Sequence, residues 1–251
     1  LQQTQVARVV PRYHEFLDVF PTPTACAAAT PADVVHHWAG LGYNRRAINL
    51  HRTAVRVVDD HGGRVPDELD ALLALPGIGP YTARAVLVFA FERDEAIVDT
   101  NVARVLARWS GRPLGGREVQ RVADHAVPRD RAWEWNQGLL DLGATVCTKR
   151  APRCSACPAR NVCAWRGVDG PDPAIGSAGV PRGQSRFEGS DRQGRGRLVD
   201  AMRHGRVVEA QRLAEVAGWT TDVDRARRVA ETLVADGLAV WRKDGSLALP
   251  T

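Results

Sequence analysis

The chain has 251 residues, 44% of them hydrophobic and 25% charged. That is enough apolar material for a real core, which excludes global disorder, and enough length for one large or two modest domains. The formal net charge of +5 comes far more from Arg than from Lys; it fits a polyanionic partner, because a guanidinium forks onto phosphate oxygens, and it fits a solvated basic surface equally well.

No apolar run approaches the roughly 18 residues of a membrane helix, and no basic-then-apolar leader opens the chain. It starts at Leu1 without an initiator Met, in text that already reads as helix, and is taken as a fragment lacking its N-terminus. Apolar residues then recur at helical spacing in Val6-Val9-Val10-Tyr13-Leu17, in Val34-Val35-Trp38-Leu41 and in Leu50-Ala54-Val57-Val58. Thr30-Pro31 marks a helix start, with Thr as cap and Pro in the first turn. Gly40/Gly42, His61-Gly62-Gly63, Gly77/Gly79 and Gly111–Gly116 mark breaks. Alternating β-branched runs are few, so residues 1–165 are expected to be all-α. Cys26, alone in an Ala-rich stretch, reads as a small buried hydrophobe.

Leu75-Pro76-Gly77-Ile78-Gly79-Pro80-Tyr81-Thr82-Ala83 reads as a helix end, a tight glycine hairpin and a new helix from about Tyr81. Glycines let backbone N–H groups approach a phosphate, and the helix N-terminus adds a favourable dipole. A helix-hairpin-helix grips a DNA backbone in this way without reading its sequence; an ordinary turn accounts for the two glycines as well. Roughly twenty residues later, Ala96-Ile97-Val98-Asp99-Thr100-Asn101 delivers a carboxylate just before another helix. By itself Asp99 is a good N-cap.

Four of the five cysteines follow in the array Cys147-x6-Cys154-x2-Cys157-x5-Cys163. Clustered thiols without a secretory signal argue for metal binding over disulfides. Four thiolates at this spacing hold either a tetrahedral ion or an iron–sulfur cube; a structural zinc usually wants two tight Cys-x2-Cys pairs, and only one is present. Lys149, Arg150, Arg153 and Arg160 in the same loop suit phosphate contact. From Arg166 to about Ser190, Gly, Pro, Asp and Ser dominate without periodicity, as in a flexible linker. Residues 191–251 read as helices near Gly194–His204, Val208–Ala217 and Asp222–Asp236, then strands Ala239–Arg242 and Ser246–Leu249 around a Lys243-Asp244-Gly245 turn. Three helices and a terminal hairpin make a winged-helix pattern, with Arg225, Arg227, Arg228, Arg242 and Lys243 as candidate DNA contacts.

Taken together, the Leu-Pro-Gly-Ile-Gly hairpin, the Asp that follows it and the cysteine spacing resemble the helix-hairpin-helix DNA glycosylases with an iron–sulfur loop. Leu1-Gln2-Gln3-Thr4-Gln5-Val6, Trp38-Ala39-Gly40-Leu41-Gly42-Tyr43, Asn49-Leu50-His51 and Leu142-Gly143-Ala144-Thr145-Val146-Cys147 resemble the MutY adenine glycosylases over almost all of Leu1–Cys163. The resemblance implies an all-α helix-hairpin-helix glycosylase fold over 1–165 with its cluster loop at 147–163; the linker at 166–190 and the small winged-helix-like domain at 191–251 rest on composition and pattern. It implies a [4Fe-4S] cluster on Cys147, Cys154, Cys157 and Cys163, with a zinc knuckle as the alternative. Asp99 would stabilise the sugar cation as the N-glycosidic bond breaks, with Asn101 in support. Leu1, Gln3, Thr4 and Tyr43 would sit at the base stack, Gly77 and Gly79 at the phosphates, and Gln137 at the flipped adenine. Outside the family, Gln3 is a surface residue and Tyr43 a core aromatic.

Endonuclease III carries a nucleophilic Lys where this chain has Tyr81, so hydrolysis without strand cleavage is expected. The expected substrate is duplex DNA with adenine opposite 8-oxoguanine or guanine, met by a monomer at the cytoplasmic nucleoid without membrane contact. The rivals are another mismatch or pyrimidine glycosylase on the same scaffold and a non-catalytic cluster-bearing DNA-binding protein. Two departures stand out. The family's general-acid Glu lies just upstream of the Leu-Gln-Gln-Thr motif, so this fragment is expected to be nearly inactive, and the tail is too short for the family's Nudix-like domain.

Overall fold

The computed structural model describes residues 4–167, 170–178 and 186–251. Contacts divide the chain into two compact units: residues 1–66, 75–77 and 184–251 form one, and residues 67–74 and 78–183 form the other.

In the first unit, helices α1 (Val6–Val19), α2 (Pro23–Ala28), α3 (Pro31–His37) and α4 (Arg45–His61) are joined by α10 (Asp191–Met202), α11 (Leu213–Ala217) and α12 (Val223–Ala235). The local signals act as read. Thr30 and Asp33 make a reciprocal capping box at α3 with Pro31 in its first turn, while Ser190 and Asp222 cap α10 and α12. The terminal hairpin pairs β1 (Val240–Trp241) with β2 (Leu247–Ala248) antiparallel, in the register Val240↔Ala248 and Trp241↔Leu247. Val208 bridges to Leu247 and adds a third edge.

One apolar cluster holds Val34, Val35, Ile48 and Ala54 of α3 and α4 together with Leu198, Met202, Leu233 and Leu247 of the tail. The Arg203 side chain, only 5% exposed, donates to the last carbonyls of α3, Val35 O and His36 O. The tail therefore shares a core with α1–α4, and compactness does not follow the linear boundary drawn at 165 and 191.

The second unit contains α5 (Leu69–Leu73), α6 (Pro80–Phe91), α7 (Thr100–Ser110), α8 (Gly116–Ala126), α9 (Ala132–Thr145) and the cysteine loop. Helix α7 runs through its middle with Val102, Ala103, Val105, Leu106 and Ala107 buried, packed on α8 and α9. Of the segment 166–190 read as a flexible linker, residues 168–169 and 179–185 lie outside the described residues, and 170–178 is packed. Across 170–178, Ala174 and Ser177 are buried, Ala178 N donates to Leu114 O at 3.1 Å and Leu114 N to Ser177 Oγ at 3.1 Å. This stretch is ordered because its Asp172 carboxylate answers a buried cation on α7, described below. Among the described residues, no helix is long and apolar enough to cross a membrane.

Candidate active site

Asp99 is the N-cap of α7: its Oδ1 accepts from Val102 N at 2.7 Å. The capping role is therefore real, and it occupies one oxygen. Oδ2 accepts from Asn101 Nδ2 at 3.0 Å, and Asn101 Oδ1 accepts in turn from Arg104 Nη2 at 2.8 Å. Arg104 is 4% exposed; it also donates to Gly143 O at 2.7 Å and to Cys147 O at 2.8 Å. Burial draws its pKa below the ordinary guanidinium range, and the charges of Cys147 and Asp99 oppose that pull. The carboxylate is thus held in one orientation by a chain of side chains reaching the cysteine loop.

The extended segment that delivers Asp99 is fixed from α9. Asn136, 1% exposed, accepts from Ile97 N at 2.7 Å and donates to Glu95 O at 2.9 Å and Ala132 O at 2.7 Å. Tyr81 in the first turn of α6 is half-buried; burial, and then the negative charge of Asp99, raises its pKa, so it stays a neutral hydroxyl. Gln137, also half-buried, donates to Asp141 Oδ1 at 3.0 Å. Asp99, Asn101, Tyr81 and Gln137 all belong to the second unit.

The first half of the glycine hairpin belongs to the first unit. Thr53 Oγ1 donates to Pro76 O at 2.8 Å. Gly77 has φ +76°, and a Cβ there would meet the Asn49 Cβ at 2.7 Å, so both conformation and space require glycine. Gly79 is the N-cap of α6 and Pro80 its first residue, which leaves first-turn amides without intrahelical acceptors. Arg46, in the first turn of α4, links Thr4 to Tyr43. Thr4 Oγ1 donates to Leu41 O at 3.1 Å, and Arg46 donates to Thr4 Oγ1 while lying over the rings of Trp38 and Tyr43. Tyr43 has φ +48° and is 43% exposed, so it is no core aromatic. Leu1 and Gln3 lie outside the described residues.

The four loop cysteines are all free thiols and line one cavity with Arg108, Trp109, Leu142 and Trp165. Burial and the neighbouring sulfurs raise the Cys154 thiol. Arg108, 1% exposed, donates to Cys147 Sγ at 3.2 Å, and the Arg166 amide to Cys163 Sγ at 3.4 Å. Asp172 receives Arg108 in a two-oxygen fork at 3.0 and 2.7 Å. Burial works against the charge of Arg108, but the bonds to Asp172 and Cys147 outweigh it and hold its pKa above the ordinary range. Among the described residues, no three His, Cys, Asp or Glu side chains converge at single-ion distance. Lys149, Arg150, Arg153 and Arg160 are exposed around the loop.

Sequence reasoning missed Arg104, Arg108, Asn136 and Asp172. The available signal was two arginines four apart on the apolar stripe of α7, and an Asn amid the buried positions of α9. In the tail, Arg225 is engaged within its own unit, stacked 4.0 Å from the Trp219 ring centroid and paired with Asp191, and Arg227 pairs with Glu231.

A family model described as HhH-GPD superfamily base excision DNA repair protein matches residues 1–126. An adenine DNA glycosylase of Mycobacterium tuberculosis H37Rv is 43% identical over 256 residues, covering 100% of this chain and 82% of that protein. A thermostable thymine-DNA glycosylase has a similar structure, with a TM-score of 0.60 and 30% identity over 65% of this chain and 78% of that one. Endonuclease III trapped on DNA scores 0.59 at 25% identity, over 66% of this chain and 79% of that one. With an aspartate-capped helix after the hairpin and a four-cysteine cradle further along the chain, it belongs to the HhH-GPD superfamily of base excision DNA repair proteins, in the adenine DNA glycosylase family.

Proposed function

We propose that this chain excises adenine paired with 8-oxoguanine or guanine from duplex DNA, by hydrolysis of the N-glycosidic bond, acting as a monomer at the nucleoid. The observation that carries the reading is the half-buried Asp99 carboxylate, oriented by Val102 N and Asn101 Nδ2 beside the neutral Tyr81 hydroxyl. As the bond to the base breaks, positive charge grows on the sugar, and a preoriented carboxylate stabilises it without reorganising. Asn101 and Arg104 hold Asp99 in place. Tyr81 stands where a Lys would form a Schiff base; a phenol that keeps its proton does not attack, so water takes the sugar carbon and the strand stays intact. Gln137 on α9 supplies an amide for the extruded base. The hairpin amides at Gly77 and Gly79 and the exposed arginines of the cysteine loop take phosphates.

The cysteine cradle fits a [4Fe-4S] cluster. Its four thiols line one cavity, and donors from Arg108 and Arg166 face the sulfurs. Cys147, Cys154, Cys157 and Cys163 would hold it. When bound it crosslinks the loop and carries a redox couple.

The test is Asp99→Asn in the full-length protein, on duplexes with A:8-oxoguanine, A:G or T:G. Asn can still accept from Val102 N, so the fold persists, at a cost near the few tenths to ~1 kcal/mol of a cap change. Adenine release should fall by several orders of magnitude while duplex binding holds. Release within a few-fold of wild type removes the catalytic assignment, and preferential thymine release in wild type replaces the substrate.

A further inference from the structure

One buried donor in the cysteine cradle has no acceptor among the described residues. Trp165 Nε1 is shielded from solvent and has no hydrogen-bond partner among the described residues, whereas buried polar groups are nearly always paired. Trp165 lines the same cavity as the four cysteines. Its ring is held from two directions: its backbone N donates to Arg108 O at 3.1 Å, and the Arg108 guanidinium lies 4.8 Å from the ring centroid. Arg108 is locked in turn by the fork to Asp172. The indole is therefore oriented by charged groups that leave its own N–H unmet.

An indole N–H only donates, so its partner must be an acceptor, and in the cavity that Trp165 lines with the four cysteines the acceptors a thiolate-held cluster would bring are sulfurs. We propose that Trp165 donates a hydrogen bond to a sulfur of the cluster and raises its reduction potential. The inference rests on the cluster reading above. Donors to sulfur draw off negative charge and favour the reduced form, which carries more of it. Because the indole is uncharged, its contribution holds across the working pH range. The Arg108–Asp172 pair is the positioning device.

Iron and inorganic sulfide are counted first on purified wild-type protein; zinc without sulfide overturns the cluster reading and this one with it. With the cluster present, wild-type protein grown with indole-¹⁵N tryptophan should show a nitrogen hyperfine coupling and an exchangeable proton coupling when the cluster is poised in a paramagnetic state. Trp165→Phe keeps an aromatic face for Arg108 and removes the N–H together with the pyrrole part of the ring. At fixed poise its oxidised-to-reduced ratio should rise by about 2- to 12-fold, the equilibrium worth of one hydrogen bond, and the indole ¹⁵N coupling should vanish, while exchangeable proton couplings from the Arg108 and Arg166 donors remain. A wild-type cluster without the indole ¹⁵N coupling overturns the proposal, and so does a Phe variant with an unchanged potential. The isotope measurement needs no variant, so it decides the matter even where Trp165→Phe fails to retain the cluster.

Discussion

Helices α7 and α9 meet at Gly143, and the contact predicts how much one methyl group perturbs the site. A Cβ on Gly143 would lie 2.7 Å from Asn101 Cβ and 3.1 Å from the Asn101 backbone carbon and oxygen. Carbons pack at roughly 3.5–4.0 Å, so the helices must part locally by about 1 Å. That movement also stretches the 2.7 Å bond from Arg104 to Gly143 O. Overpacking of this kind costs about 1–3 kcal/mol, and the better helix propensity of Ala returns up to ~1 kcal/mol. The net loss for Gly143→Ala then lies within about 0–3 kcal/mol, centred near 1–2, a melting-temperature drop of roughly 2–8 °C at the centre for this chain size.

Activity should suffer more than stability. Asn101 holds Asp99, and a misplacement of about 1 Å at a reacting centre costs on the order of 100-fold. Gly138 on the same helix is the internal control: it is exposed, and a Cβ there meets nothing within 4 Å. Gly138→Ala should melt at or slightly above the wild-type temperature with full activity. Thermal melting and single-turnover adenine release on both variants decide the matter. If Gly143→Ala melts with Gly138→Ala and turns over normally, the two-helix contact does not position the carboxylate.

Asn136→Ala strips partners from Ile97 N, Glu95 O and Ala132 O; urea denaturation should show a loss of about 3 kcal/mol, with base release reduced as the Asp99 segment loosens. Cys154→Ser should leave the protein short of iron by metal analysis and cost DNA affinity more than helicity, since the loop is what the thiolates organise. Duplex affinity should fall steeply and linearly on a log–log plot as salt rises, because hairpin and loop displace counterions from phosphates; a flat plot by anisotropy titration removes the nucleic-acid reading. Burial, and then the positive charges of His204, His37 and Arg203, lowers the pKa of His36. The unfolded chain therefore takes that proton first, at about pH 6.5, and stability present above that pH declines as pH falls toward the folded value. Urea midpoints at pH 7 and pH 5 should differ, and His36→Gln should shrink the difference.

Much of this molecule is written locally. Helix starts at Thr30-Pro31 and Asp99, the Gly77 turn and the Cys147–Cys163 spacing depend on neighbours a few residues away. Their chemistry, a cap oxygen, a left-handed φ or a thiol run, reads directly from the text, and so does the family pattern built on them. The roles of Arg104 and Arg108 do not read this way. A periodicity argument puts an arginine on a solvated face, and only the packing of α9 and the cysteine loop shows these two desolvated. Once buried they require partners far along the chain: Asp172, 64 residues from Arg108, and Gly143 O and Cys147 O, 39 and 43 residues from Arg104. The same reason orders 170–178, which composition describes as a linker, and draws the tail onto α3 and α4, where Arg203 closes a helix end 167 residues away. Local propensity sets which segments are helical, but the desolvation cost of a charge is set by whatever packs over it, and that is decided only when distant segments meet.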